Sequence, residues 1–411
     1  MKKIEALLER AGTGDAAAQF EAGRAYHHGL GVKPYPPSAI AWYFKAAAQG
    51  HLDAEASLGA IFFEETVNGG AAGDPHKARS WLLKAATQGN AEAMVQLGVL
   101  EQQGYCGERD LPAARDWFLR AVDKGHAPAL NRLGLVIDEA GNHADAAEYF
   151  RKGAERGDVE AQFNLATAYR DGSGLEPDEV EAEKWLRAAA GQGLAEAQYA
   201  LGMLLLGGGS ARRLKEAQRW LQHAATQGHV AAQYEAAEGF RRGRGTAVDA
   251  TRTMAFYRMA ADQGHLEAQF GLGVMLETGT GFRAPMLADA AAMYRRAAKN
   301  GHALAAQQLG LMLARGAGVT PDNRRAREVL AHAIALGADE AMVSLGQLLM
   351  NEGDLVGAAQ WAIIALRHRP QGQGQKLLDA VSAHLPQEGF TEAERRARKW
   401  KRKPVEIDWD E

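Results

Sequence analysis

A glycine returns through this chain at Gly14, Gly50, Gly89, Gly125, Gly157, Gly193, Gly228, Gly264, Gly301 and Gly337, at spacings of 32 to 39 residues. A period of that size holds two short helices and their turns. It marks a stacked array in which each unit buries its apolar face against its neighbours. Alanine stands four residues after every one of these glycines, from Ala18 to Ala341. Nine residues after them stands glycine in eight units and alanine in two, Ala166 and Ala237. Eight residues before the next glycine comes a large residue: Trp42, Trp81, Trp117, Tyr149, Trp185, Trp220, Phe256, Met293 and Val329, with Trp361 in the last unit. Large opposite small is how helices pack ridge into groove, so the spacing predicts this ladder as the core and the small stripe as its seat.

Each unit reads as helix, variable loop, helix and tight turn. Around Gly193, Trp185, Ala189 and Ala190 share one helical face before the turn, and Ala197, Leu201 and Leu205 share another after it. The loops carry the variation, as in Gly29-Leu30-Gly31, the longer stretch 68–74, Gly172-Ser173-Gly174 and Gly316-Ala317-Gly318. Asp74, Asp145, Asp178 and Asp322 follow such loops and are placed to cap the second helix. The unit that starts at Gly125 is short and carries Ala140-Gly141-Asn142 instead of the Gly-x-Gly loop.

The pattern G-x-x-x-A-x-x-x-L-G, then a Gly-x-Gly loop, then A-x-x-W-x-x-x-A-A-x-Q-G, resembles the Sel-1-like repeat, a relative of the tetratricopeptide repeat. The match runs from residue 14 to about 366 in ten copies. The resemblance implies an all-α fold, a right-handed α-solenoid of stacked antiparallel helix pairs with terminal capping helices, whose inner surface binds proteins or peptides. The expected organisation is an N-terminal capping helix in 1–13, the ten-unit array in 14–370, C-terminal capping helices in 371–403 and an acidic tail in 404–411, expected to be disordered. Gln375–Leu385 reads as one capping helix, and Thr391-Glu392-Ala393-Glu394 as the capping box that opens the other.

Other function classes find less support. Cys106 is the only cysteine, so no disulfide forms within the chain. No stretch approaches 18 apolar residues, which predicts no membrane insertion. Together these give a cytoplasmic protein as the simplest reading, and a monomer is expected. His51, His126, His229, His265 and His302 each follow a turn glycine and are spread one per turn, so they read as repeat consensus, with no metal site and no cofactor. Cysteine-rich relatives of the family have been associated with penicillin binding and β-lactamase activity. This chain has no Ser-x-x-Lys, no Lys-Thr-Gly and no Gly-x-Ser-x-Gly elbow, so a cell-wall or β-lactam hydrolase is the weaker alternative and no catalytic residue is assigned. The basic run Arg395–Lys403 reads as the solvated face of a capping helix rather than a nucleic-acid site.

The candidate binding surface is the face of each first helix at offsets +3, +7 and +14 from the turn glycine. There we place Arg132, Asn164, Glu235, Arg242, Gln308 and Arg315. Residues 1–205 hold 20 basic and 29 acidic groups, whereas residues 206–411 hold 27 and 22. Arginine's planar fork suits carboxylates, so an acidic peptide or chain terminus is expected against the later units. The function expected is a non-enzymatic scaffold or adaptor. An immunity protein neutralising a toxin is the alternative, because some bacterial members of the family have that role.

Overall fold

The computed structural model describes residues 2–70, 73–370 and 372–409, without the side chain of Lys2. Ala71 and Ala72 of the longer loop, Met1 of the N-terminal cap, and Asp410 and Glu411 of the tail lie outside the described residues. Among the described residues there are 23 helices and no strand.

Two compact units divide the chain, Met1–Ala197 and Gln198–Glu411. The first holds α1 (Lys2–Gly12), then the pairs α2 (Ala16–His28) with α3 (Pro36–Ala47), α4 (Leu52–Val67) with α5 (Pro75–Thr87), and α6 (Ala91–Gln103) with α7 (Leu111–Asp123). Next come α8 (Pro128–Glu139) with α9 (His143–Glu155) and α10 (Val159–Asp171) with α11 (Glu179–Gly191). The second unit opens within α12 (Ala195–Gly207), which is followed by α13 (Ala211–Thr226), α14 (Val230–Arg242) and α15 (Ala250–Asp262). It continues through α16 (Leu266–Thr278), α17 (Leu287–Lys299), α18 (Ala303–Arg315), α19 (Asn323–Ala335), α20 (Glu340–Asn351) and α21 (Leu355–His368). It closes with α22 (Gly374–Ser382) and α23 (Gln387–Lys399).

The turns are glycine for a backbone reason. All ten repeat glycines have φ between +78° and +106°, a region that costs other residues strain. In the loops, Asp74, Asp110, Asp178, Asp249 and Asp322 accept a hydrogen bond from the first turn of the second helix. Asp145 does not. Asn142 stands at that helix start, and its amide donates to Asp145 at 2.6 Å.

The core corrects the tryptophan ladder by one residue. The fully buried large side chains are the next ones along: Tyr43, Leu82, Phe118, Phe150, Leu186, Leu221, Tyr257, Tyr294 and Leu330, each 5% exposed or less. They sit on the small stripe. A Cβ added to Gly23, Gly59, Gly98, Gly134, Gly202, Gly273 or Gly310 would come within 2.5–2.7 Å of the facing side chain. The tryptophans are rotated about 100° from that line and are half-buried. Cations cover Trp42, Trp81 and Trp117, with Lys45, Lys84 and Arg120 4.1, 4.0 and 4.7 Å from the ring centres.

Both ends differ in detail from expectation. α23 begins at Gln387, four residues before the supposed capping box. Pro386 supplies the extended residue that precedes it, and the Thr391 hydroxyl donates back to Gln387 O at 3.0 Å. The expected disordered tail is ordered over 404–409. Val405, Ile407 and Trp409 are half-buried and alternate with exposed Glu406 and Asp408. His332 Nδ1 donates to Val405 O at 2.9 Å, and Arg325 donates to Asp408 O. Ile407 and Trp409 pack on the cluster that contains Val329, which is only 1% exposed although it stands at a ladder position.

Candidate functional site

Between neighbouring pairs runs a buried amide ladder that the apolar pattern did not reveal. The glutamine before a turn glycine donates to the residue five after the previous one: Gln49 to Gln19 at 2.8 Å, Gln192 to Gln162 at 2.9 Å, Gln227 to Gln198 at 2.8 Å and Gln263 to Gln233 at 2.9 Å. Gln19, Gln162 and Gln233 in turn donate to Ala11, Ala154 and Ala225 carbonyls. Buried amides satisfied in this way fix one register between pairs. Its signal was in the sequence, as the recurring Gln-Gly.

Three of the five histidines after the turn glycines are helix caps, whereas His51 and His126 make no such bond. Nδ1 of His229, His265 and His302 accepts from the backbone N–H of Ala232, Ala268 and Ala305 at 3.2, 3.3 and 3.0 Å. Their rings stack on Tyr199, Tyr234 and Phe270 with centres 4.5–4.7 Å apart. Burial pushes the His302 imidazole below its ordinary pKa, which keeps the accepting nitrogen unprotonated. Among the described residues, no group of three or more His, Cys, Asp or Glu is placed to hold a metal ion.

The predicted surface residues meet different fates. In the first unit Arg132 is exposed on α8, whereas Asn164 on α10 is half-buried. Asn164 donates to Asn131 Oδ1 at 2.8 Å, and Asn131, itself 2% exposed, donates to Glu160 at 3.0 Å. That side chain joins α8 to α10. In the second unit Arg242 pairs with Glu238 at 2.7 Å, as does Arg241. Glu238 is only 4% exposed and also accepts from the Tyr257 hydroxyl. Burial alone would raise its pKa, but the hydrogen bonds from Arg241 and Tyr257 and both arginine charges outweigh it and hold it at about 2. Glu235 pairs with Arg244 at 3.4 Å. Arg324 and Arg325, in the first turn of α19, both lie against Glu328. Gln308 is half-buried on α18.

Arg315 is different. It is exposed at the end of α18, forms no ion pair with any described residue, and lines a groove of about 740 Å³ between α18, α20 and the α21–α22 turn. Its lining is apolar at Leu311, Val343 and Leu348 and polar at Gln307, Ser344, Gln347 and Asn351, with the carboxylates Asp339 and Glu340 also lining it. Gln307 donates to Ser344 Oγ at 3.5 Å and Gln347 to Asn351 Oδ1 at 3.2 Å. Gln347 stands at +10 from its turn glycine, one helical turn beyond +7, an offset the sequence reading left out. Arg369, also lining it, pairs with Glu340 at 2.7 Å. A lining that mixes apolar side chains with amides suits an extended peptide, whose backbone presents a donor and an acceptor at every residue.

Repeated helix pairs with a groove on the first-helix face define a helical-repeat protein of the solenoid class, an interaction fold. The chain belongs to the Sel1 repeat family, whose model matches residues 16–51, 52–90, 91–126, 127–158, 159–194, 195–229, 230–265, 266–302 and 303–328. Those nine segments stop within α19, one pair short of the ten read from the period, and α20 with α21 forms the tenth pair. Among solved structures the chain is similar to c5321, a protective antigen of uropathogenic Escherichia coli strains displaying an SLR fold. The identity is 27%, over 96% of this chain and 94% of that one, with a TM-score of 0.59. It is also similar to a Sel1 repeat protein from Oxalobacter formigenes, at 28% identity over 84% and 91% and a TM-score of 0.45. A third similarity is to the immunity protein PA5088 from Pseudomonas aeruginosa, at 22% identity over 50% and 81% and a TM-score of 0.37. No curated protein matches the chain. No helix among the described residues is long and apolar enough to cross a membrane.

Proposed function

We propose that this protein is a non-enzymatic interaction scaffold and that an extended protein segment binds in the groove of α18, α20 and the α21–α22 turn. The observation that carries the reading is Arg315, an exposed guanidinium with no ion-pair partner among the described residues, which lines a groove that also carries amide side chains. The fork of Arg315 suits a carboxylate, from an acidic side chain or a chain terminus, while Gln307, Ser344 and Gln347 suit the peptide backbone. Arg242 and Glu235, committed to internal ion pairs, have a structural role in this reading. The likeness to an immunity protein covers half of the chain at a low TM-score and carries no argument for that role.

The test is capture of the partner from the native host with the full-length chain, followed by titration of the purified pair. Arg315→Ala and Gln347→Ala should each weaken binding by about tenfold, the loss typical of a contributing interface side chain. Wild-type affinity in both would place the partner elsewhere.

A further inference from the structure

In five of the pairs the loop between the two helices is itself a packing element. At Gly174, Gly245, Gly281 and Gly318 the second glycine of the Gly-x-Gly lies against the start of the second helix of the preceding pair. A Cβ on Gly174 would strike His143 and Ala144, one on Gly245 would strike Leu214 and Lys215, and one on Gly318 would strike Leu287 and Ala288. Where the residue that follows is apolar, it packs inward. Leu175 packs against the cluster of Ala146 and Phe150, and Phe282 and Val319 pack against the larger core of the second unit. In the pair α6–α7, Cys106 takes this part, with its Sγ 3.4 Å from Pro75 O at the start of α5.

The pair α8–α9 lacks such a loop. Only Ala140-Gly141-Asn142 joins the two helices, and a Cβ on Gly141 would meet nothing within 4 Å. The start of α7 is therefore left without its cover. In its place lies a groove of about 480 Å³ between α7 and α9, lined by Leu111, Pro112, Leu119, Val136, Ile137 and Tyr149. The charges that also line it, Arg115 and Lys152 with Asp145 and Glu148, balance in sign, so charge does not select what enters. Shape and apolar contact do.

We propose that this groove is a docking seat for a loop of a partner protein, flanked by glycine and carrying one branched or aromatic apolar side chain. The occupant is named by the chain itself, which fills the corresponding places with Leu175, Phe282 and Val319 behind a glycine. The partner loop completes the missing part of the pair. This seat is separate from the groove of α18 and α20, and it stands or falls without it.

The test uses the full-length chain with labelled Leu, Ile and Val methyls and, as probe, a cyclised peptide of the sequence Asp-Gly-Ser-Gly-Leu-Glu-Pro-Asp (residues 171–178). Saturable shifts are expected at the methyls of Leu111, Leu119, Val136 and Ile137. The peptide carrying the Leu175→Asn change should bind about tenfold or more weakly, the effect of one lost apolar side chain in a pocket. Grafting Ser-Gly-Leu-Glu-Pro after Gly141 should fill the seat and abolish the shifts. Should that graft disturb folding, Pro112→Arg at the exposed rim serves instead and should also abolish them. Absence of saturable shifts at these methyls, equal binding of the Asn peptide, or shifts that persist in the folded graft or in Pro112→Arg would overturn the proposal.

Discussion

Gly98→Ala sets two physical effects against each other, and the structure decides the sign. Gly98 lies inside α6, where alanine has the better helix propensity by about 1 kcal/mol. Packing opposes it. The new Cβ would stand 2.5 Å from Phe118 Cε1 and 2.8 Å from Cδ1 and Cζ, and Phe118 is 0% exposed, with nowhere to swing. Overpacking a tight core costs about 1–3 kcal/mol, so the net change should be destabilising, by up to about 2 kcal/mol. Gly191 at the end of α11 is the control. It is exposed and a Cβ there would meet nothing within 4 Å, so Gly191→Ala should be neutral or stabilising by up to about 1 kcal/mol. The assay is urea unfolding followed by helical circular dichroism, with amide hydrogen exchange in α6 and α7 to show that the loss is local. Phe118→Leu should recover part of the loss when combined with Gly98→Ala, a coupling that a double-mutant cycle isolates. Gly98→Ala as stabilising as Gly191→Ala, or no coupling to Phe118, would refute the assignment of glycine as the seat of this ring.

Phe118→Ala should cost about 3–5 kcal/mol and Trp117→Ala less, because the first ring is buried and the second half-exposed beneath Arg120; the urea midpoints order the two. Glu238 titrates at about 2 when folded against an ordinary 4.5, so its contribution is complete above about pH 4.5 and is lost as pH falls toward 2. Up to about 3 kcal/mol is at stake, and the stability difference between wild type and Glu238→Gln, measured from pH 6 to pH 2.5, should shrink across that window. Trp409→Ala should free the segment 404–409 and make it open to proteolysis, while helical content stays constant by circular dichroism.

The period was legible because one residue type meets one backbone demand ten times over. Every repeat glycine adopts a positive φ, and no polar or aromatic residue could hold that place at equal cost. Which large residue is the knob was less legible. The tryptophans and their buried neighbours are adjacent in sequence, and a hydrophobicity pattern read one residue off still finds an apolar side chain. Only the contact of Gly98 with Phe118, rather than with Trp117, separates them. The surface was harder still. Asn164 and Arg242 stand at the expected offsets, but an Asn131 on the neighbouring helix and a Glu238 one turn earlier consume their hydrogen-bonding groups. The pair Glu238–Arg242 has the spacing of a helical ion pair, so that part of the loss was visible in the sequence. The link from Asn164 to Asn131 spans 33 residues and needs the stacking of α8 on α10.

Charge shows the same distance between inventory and availability. Residues 206–411 carry 27 basic and 22 acidic groups, which promises a basic surface. Yet Arg241, Arg242, Arg244 and Arg369 are each held by a carboxylate, and Arg325 by Glu328 and the tail. Net charge describes a field that salt screens within about 8–10 Å. Contact recognition depends instead on which donors remain unfilled, and by that measure Arg315 outweighs its paired neighbours. Both grooves arise where the period is interrupted. One lies where α8 and α9 are joined without a full loop. The other lies where α22, at 9 residues against the 13 of α18, stands in the place of a further first helix. A regular repeat fills its own surface with its own loops and helices, and both proposed seats are departures from that regularity. Those departures were legible in the sequence as a missing Gly-x-Gly and a proline-ended array.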